Sequence, residues 1–307
     1  MRLSFILIFG LLLSHLSCDV TSHKKLSVKN KNGCTPGALL GTQYTSFDDL
    51  KKVLIIEYTK GIFPKVAVSH SCQGHSIRSV LHSGVTEKDF EKARDGGIQN
   101  KLMLALRSPY FVLRRDDIKR SYIMSRRMGK QFGEGDISFY DLALAFKNHI
   151  DPSAEQLYAD KDFSEKGFTN TFNHIIAQVF ITAIYTERLG DYIADAHERA
   201  RIPELITGEF TEDQVADLGN GPLDNYVDLV NNEWGQEIGK QLDAKYKICR
   251  HTAWTDTLMS EFLNDIQSHC SWSFGIYIAP FHPEDKIVRK FAHKLNRIHQ
   301  DFNTISL

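Results

Sequence analysis

Residues 168–184 read FTNTFNHIIAQVFITAI, and within them Phe172, Ile175, Ile176, Val179, Phe180, Ala183 and Ile184 recur at spacings of three and four. That period winds the apolar groups onto one wide face of a helix. Gly190 is placed to end this helix or to mark its joint with the next. His174 is the exception on the apolar ground, and a polar group buried in such a face costs free energy unless it finds a partner. Its helical neighbours Phe172, Ile175 and Ile176 offer none, so the partner must come from elsewhere in the chain.

Working outward, two more polar clusters stand on helical ground. Ala194-Asp195-Ala196-His197-Glu198 continues the helix after Asp191, and Asp228-Leu229-Val230-Asn231-Asn232-Glu233-Trp234-Gly235 lies inside a helix running from Leu223 to about 247. His197 and Glu198 are adjacent, so their side chains diverge by about a hundred degrees and only one can face a site squarely. Asp228, Asn231 or Asn232, and Gly235 share a face at i, i+3 or i+4, and i+7. Gly235 and Gly239 each weaken a helix by roughly 1 kcal/mol against alanine, which points to close approach of another helix or a ligand.

The remaining elements are mainly helical. Ser46 reads as an N-cap before Phe47, Leu50, Val53, Leu54 and Tyr58, Thr86 opens a second helix, and Asp136 a third. Pro203 and Gly208 break the pattern, and Thr211 to Gln214 fits a capping box. Near the end come a helix over Trp254 to Ile266, a β-prone piece from Ser271 to Ala279, and an amphipathic helix after Pro283. The fold expected is mainly α, a helical core domain with helical N- and C-terminal extensions and at most a minor β element. Its divisions are a signal peptide at 1–17, a linker at 18–45, an N-terminal helical region at 46–150, the core domain at 151–247 and a C-terminal extension at 248–307.

Composition is that of an ordinary globular chain: 307 residues, 42% hydrophobic, 24% charged, formal charge −1. Such a balance gives no global attraction to nucleic acid, and none is expected as a partner. The basic residues between Arg114 and Lys130 are interrupted by Asp116 and Asp117 and read as a solvated helix face. Arg2, the apolar run Leu3 to Leu13 and Ser14-His15-Leu16-Ser17-Cys18 have the layout of a secretory signal. Cys18 sits where a bacterial lipoprotein carries its lipid, so the chain is expected to be exported. Periplasmic, membrane-anchored through Cys18, and plainly secreted forms all fit. Cys34, Cys72, Cys249 and Cys270 allow three disulfide pairings, of which the local one, 34 with 72 and 249 with 270, is the simplest; free thiols are the alternative.

Two chemistries suit the clusters. A His and a carboxylate work as base and acid while Asn amides fix a substrate or an oxyanion. The catalytic candidates are His174, His197, Glu198 and Asp228, with His174 or His197 as base and Glu198 or Asp228 as acid or orienter. Asn231, Asn232 and Gly235 are the substrate-binding candidates. Two His with Glu or Asp are also metal-ligand types, yet no H-E-x-x-H or comparable spacing appears, so no metal ligands are assigned and no cofactor is named. Ser69-His70-Ser71-Cys72-Gln73-Gly74-His75 resembles nucleophile chemistry only in isolation, and Trp234, Trp254 and Trp272 read as packing residues.

At these residues the chain resembles an uncharacterised bacterial domain family found in exported proteins and at the C-terminal ends of toxin-like proteins. The pattern is a His on an apolar helix, a later Ala-His-Glu, and Asp-Leu-x-Asn-Asn-x-x-Gly, matched by His174, by Ala196-His197-Glu198 and by Asp228 to Gly235. It covers roughly residues 168–242; Gln236 departs from it, standing where a basic residue is expected. The family brings no established activity, but its company with toxins implies a hydrolase of unspecified kind. The function expected is therefore an exported cell-envelope protein with a hydrolase-like polar site. The competing class is a non-catalytic structural or binding protein whose polar cluster locks helix packing.

Overall fold

A computed structural model of the chain describes residues 34–300 together with 302 and 305. The signal-type segment and Cys18 lie outside the described residues. Twelve α-helices are described: α1 Phe47–Leu50, α2 Glu87–Asp95, α3 Ile98–Arg107, α4 Pro109–Met124, α5 Gly129–Phe132, α6 Phe139–Asn148, α7 Asn170–Ile184, α8 Glu187–Arg201, α9 Glu212–Ala216, α10 Pro222–Tyr246, α11 Asp256–Phe274 and α12 Lys286–Gln300. Three strands, β1 Leu54–Thr59, β2 Lys65–Cys72 and β3 His75–His82, make one antiparallel sheet in the order β1-β2-β3. The protein is thus mainly α with a minor β element. No described helix is long and apolar enough to cross a membrane.

Helix starts follow the caps in the sequence. The Ser46 hydroxyl accepts from the Asp49 amide, and Thr86 with Asp89, Ser138 with Asp141 and Thr211 with Gln214 close capping boxes. After α1, however, the chain turns extended. Leu54 pairs with His70 and Tyr58 with Val66, so the spacing of Val53, Leu54 and Tyr58 belongs to a strand, not to the expected helix. The β-prone piece near the end corrects the other way: α11 runs through Phe274, and only Ile278 makes a bridge, to Ile150.

The expected linker is also corrected within its described part. Ala38, Leu39 and Leu40 are fully buried. Ser273 Oγ accepts from the Ala38 amide at 3.0 Å and donates to the Pro36 carbonyl at 2.6 Å. This segment is part of the main core, which draws residues from Ala38 to Ile305, while Val85, Ala93 of α2 and Leu104 of α3 form a separate small cluster.

The centre of the molecule is the pair α7 and α10. A Cβ built on Gly235 would lie 2.8 Å from the Ile175 carbonyl oxygen, and one on Gly239 would lie 2.7 Å from Thr182 Cβ. Both glycines therefore let the two helices touch backbone to backbone, and Gly235 serves a helix rather than a ligand. Gly190 lies inside α8, not at its end; the joint falls at Tyr185 and Thr186, whose hydroxyl accepts from the Leu189 amide. Cys34 and Cys72 form a disulfide with Cα atoms 6.0 Å apart, whereas Cys249 is exposed and Cys270 buried, both free. Half of the expected local pairing is present.

Candidate functional site

Three helices aim polar groups at one another just inside the start of the α7–α10 pair. Gly221 sits at the turn into α10, where an added Cβ would fall 2.2 Å from the carbonyl oxygens of Gln214 and Asp217. Pro222 then occupies the first turn, whose N–H groups lack intrahelical partners anyway. From there Asp224, Asp228 and Asn232 recur every four residues along one stripe, which faces Asn170 and His174, also four apart, on α7. Glu198 enters from α8.

The hydrogen bonds close a network. His174 Nδ1–H donates to Asn232 Oδ1 at 3.0 Å, and His174 Nε2 faces Asp228 Oδ2 at 3.1 Å. Asn232 Nδ2 donates to Glu198 Oε1 at 3.2 Å. Asn170 Nδ2 donates to Asp228 Oδ1 at 3.3 Å and to Asp224 Oδ1 at 3.4 Å. Glu198 is fully buried and its Oε2 has no hydrogen-bond partner. Asp228 and Asn232 are buried as well, while the His174 side chain keeps 13% exposure. The cluster therefore meets solvent on the His174 and Asn170 side.

Its electrostatics follow from three carboxyl groups around one imidazole in a poorly solvated space. Burial, then the charge of Asp228, push Glu198 up to about 8, with His174 partly opposing them. Burial and Asp228 likewise raise Asp224 to about 7. For His174 burial disfavours the charged ring, but the Asp228 carboxylate, with Glu198 and Asn232, outweighs it and raises the group to about 9. Both shifts favour the protonated forms, the imidazolium of His174 beside Asp228 and the carboxylic acid of Glu198.

His174, Glu198, Asp228 and Asn232 come together as candidates from the sequence. His197 does not join them. Its Nδ1–H donates to Glu87 Oε2 at 2.8 Å on α2, and its Nε2 accepts from Arg201 Nε at 2.8 Å. That hydrogen bond to His197 is the main influence lowering the Glu87 carboxyl. The His174 and His197 rings stand 6.3 Å apart, centroid to centroid. Of the adjacent pair it is Glu198 that faces inward. Asn231 is also elsewhere: its Oδ1 accepts from the Leu39 amide at 2.8 Å and its Nδ2 donates to the Leu39 carbonyl at 3.0 Å. Its amide is taken up by backbone, so it does not present to the His174 centre.

Asp224 and Asn170 belong to the cluster and were missed from sequence. The signal was there, because each lies one helical turn before a residue already chosen, Asp228 and His174. Other motifs resolve into packing. Cys72 is in the disulfide, and His70 is buried with its ring nitrogens on the carbonyl oxygens of Val53 and Thr35. Trp234 and Trp254 are buried, whereas Trp272 is exposed with the edge of its ring system against His75. Within the basic stretch, Arg114 and Arg120 pair with Asp117, Arg115 with Asp116, and Arg127 with Asp141.

No family model, curated protein or solved structure matches this chain. The chemistry available to the site follows from its own residues. Three of them, His174, Glu198 and Asp228, each place one donor atom within 4.8 Å of the others.

Proposed function

We propose that this chain is an exported cell-envelope protein with a hydrolase centre built on His174, Glu198 and Asp228. The observation that carries the reading is the Glu198 carboxyl group, sealed from solvent with one oxygen on Asn232 and the other without a partner. A bare buried oxygen costs a helix lock roughly 1–3 kcal/mol and gives it nothing in return. A proton-carrying carboxyl has a use for it. Glu198, raised to about 8, exchanges its proton near neutrality, which suits a general acid or base. His174, held cationic by Asp228, supplies positive charge to a developing oxyanion, so the carboxyl rather than the imidazole handles the proton.

The resemblance to the family with toxin-like members supports hydrolysis as the reaction class. Export is supported by the signal-type sequence of residues 1–17 and by the Cys34–Cys72 disulfide, a bond that persists in oxidising compartments. N-terminal mass spectrometry after expression in a bacterial host with fatty-acid labelling tests this part. A start at acylated Cys18 gives the anchored form and an unlabelled start beyond it the secreted form, while a retained Met1 contradicts export.

The competing reading, a helix lock, has one observation in its favour. Each hydrogen bond named in the cluster joins two different helices. The two are separated by assaying the purified chain against chromogenic carboxylic ester, phosphoester, glycoside and peptide substrates. The hydrolase reading expects turnover of one class, reduced at least a hundredfold in Glu198→Gln with the helical circular dichroism signal intact. A folded protein inert toward all four classes would favour the lock.

A further inference from the structure

The same cluster has the construction of a metal centre. Each of three residues has one polar atom fixed by an amide and another facing a shared space. Asn232 holds His174 through Nδ1 and Glu198 through Oε1, and Asn170 holds Asp228 through Oδ1. The atoms that remain are His174 Nε2 and Asp228 Oδ2, which pair with each other at 3.1 Å in the ion-free chain, and the unpartnered Glu198 Oε2. Histidine ligands in metal centres commonly donate their second ring N–H to such a partner, which fixes the ring and the tautomer.

The spacing fits. Ligand bonds of about 2.1 Å at an angle between a right angle and the tetrahedral one put neighbouring donors roughly 3.0–3.4 Å apart. His174 Nε2 and Asp228 Oδ2 are 3.1 Å apart, and one donor from each of the three residues falls within 4.8 Å of the rest. The unpartnered Oε2 of Glu198, on a side chain with no solvent exposure, is an independent sign that something is missing from this space. An ion bound here would displace the protons carried by His174 Nε2 and Glu198, and the two carboxylates would then offset its charge.

We infer that His174, Glu198 and Asp228 bind one divalent transition-metal ion of the zinc or manganese type. An imidazole with two carboxylates suits such ions, whereas calcium takes six to eight oxygen ligands and magnesium is held mainly through carboxylates and water. Three protein ligands leave a position open for water, as catalytic metal centres do. The inference rests on reading the cluster as a site rather than a lock, but it does not require that the reaction be hydrolysis.

The second acidic group, Glu187, Glu233 and Glu237, is not a rival of the same kind. It has no imidazole, and Lys240 already bridges Glu187 and Glu237 at 2.7 and 2.6 Å. It serves as the internal control.

Isothermal titration of the chelator-treated, folded chain with zinc and with manganese tests the inference. One ion per chain is expected, with affinity falling at least tenfold in Glu198→Gln and in Asp228→Asn and unchanged in Glu237→Gln. Asn232→Ala, which removes the orienting amide, should weaken binding by 10- to 100-fold. Circular dichroism of each variant keeps the comparison to folded protein, and the wild-type titration stands even where one variant does not fold. Absence of binding to the wild-type chain, or binding untouched by both Glu198→Gln and Asp228→Asn, overturns the inference. Hydrolysis by a chain that binds neither ion sinks the metal and leaves the hydrolase. Stoichiometric binding without hydrolysis does the reverse.

Discussion

Replacing Asn231 by alanine removes a clamp between α10 and the N-terminal segment. The Asn231 amide is fully buried and meets both polar groups of Leu39, at 2.8 Å for the N–H and 3.0 Å for the carbonyl. Thr171 Oγ1 also reaches that carbonyl, at 3.3 Å, so truncation leaves the Leu39 N–H as the group deprived most fully. One stranded buried donor costs roughly 1–3 kcal/mol, and a weakened acceptor with a small cavity adds about 1 kcal/mol more. A total of roughly 2–4 kcal/mol corresponds to a fall of about 3–6 °C in melting temperature for a chain of this size. Thermal denaturation followed by far-ultraviolet circular dichroism reads this directly. A melting temperature within 2 °C of the wild type would refute the clamp and return Asn231 to the pool of groups free to hold a ligand.

Two further outcomes follow from packing and burial. Gly235→Ala should destabilise the protein by roughly 1–3 kcal/mol in urea denaturation, because its Cβ would press on the Ile175 carbonyl and Gln178, despite the better helix propensity of alanine; a more stable variant would show that α7 and α10 are not in backbone contact. His299 has both ring nitrogens buried without partners, and burial, then Arg120 and His251, depress it from 6.5 to about 4. Its contribution to stability is complete above pH 6.5 and is lost as pH falls toward 4, where the unfolded chain takes up a proton that the folded chain refuses. The wild type should therefore lose roughly 2 kcal/mol more than His299→Gln between pH 7 and pH 4.5; parallel stability curves would contradict this assignment.

The helices were legible because their caps are local chemistry. Thr86 with Asp89 and Ser138 with Asp141 need only three residues to declare a helix start, and the structure closes both boxes. The stretch after Ser46 misleads because Leu54 and Tyr58 are four apart in a helix and also lie on the same side of a strand. Only pairing with residues 65–70, a tertiary fact, decides between them. Ala38 to Leu40 looked like linker since their polar neighbours set the composition, while their burial depends on Asn231 and Ser273, some two hundred residues away.

The same division runs through the site. Residue types marked three clusters, and the i+4 rule would have added Asp224 and Asn170. What the sequence does not carry is the rotational phase of α8 and α10. His197 and Glu198 differ by about a hundred degrees, as do Asn231 and Asn232, and each pair has an apolar residue before it and a charged one after it, Ala196 and Arg199 or Val230 and Glu233. Packing against α7 turned Glu198 and Asn232 inward and left His197 to Glu87 and Asn231 to Leu39. The grouping of His174, Glu198 and Asp228 was invisible for a related reason: its members come from three helices, so no local spacing encodes it.

A cluster kept for function at a cost in stability should show itself in the thermal melting of Glu198→Gln. Glutamine keeps the shape and can still accept from Asn232, but it cannot ionise beside Asp228. If Glu198 serves a site, its unpartnered oxygen contributes nothing to the fold that the glutamine amide would remove. The melting temperature of the ion-free protein should then be unchanged or higher. A fall of several degrees would mean that the carboxyl group is a paired member of a structural network, and would contradict the account.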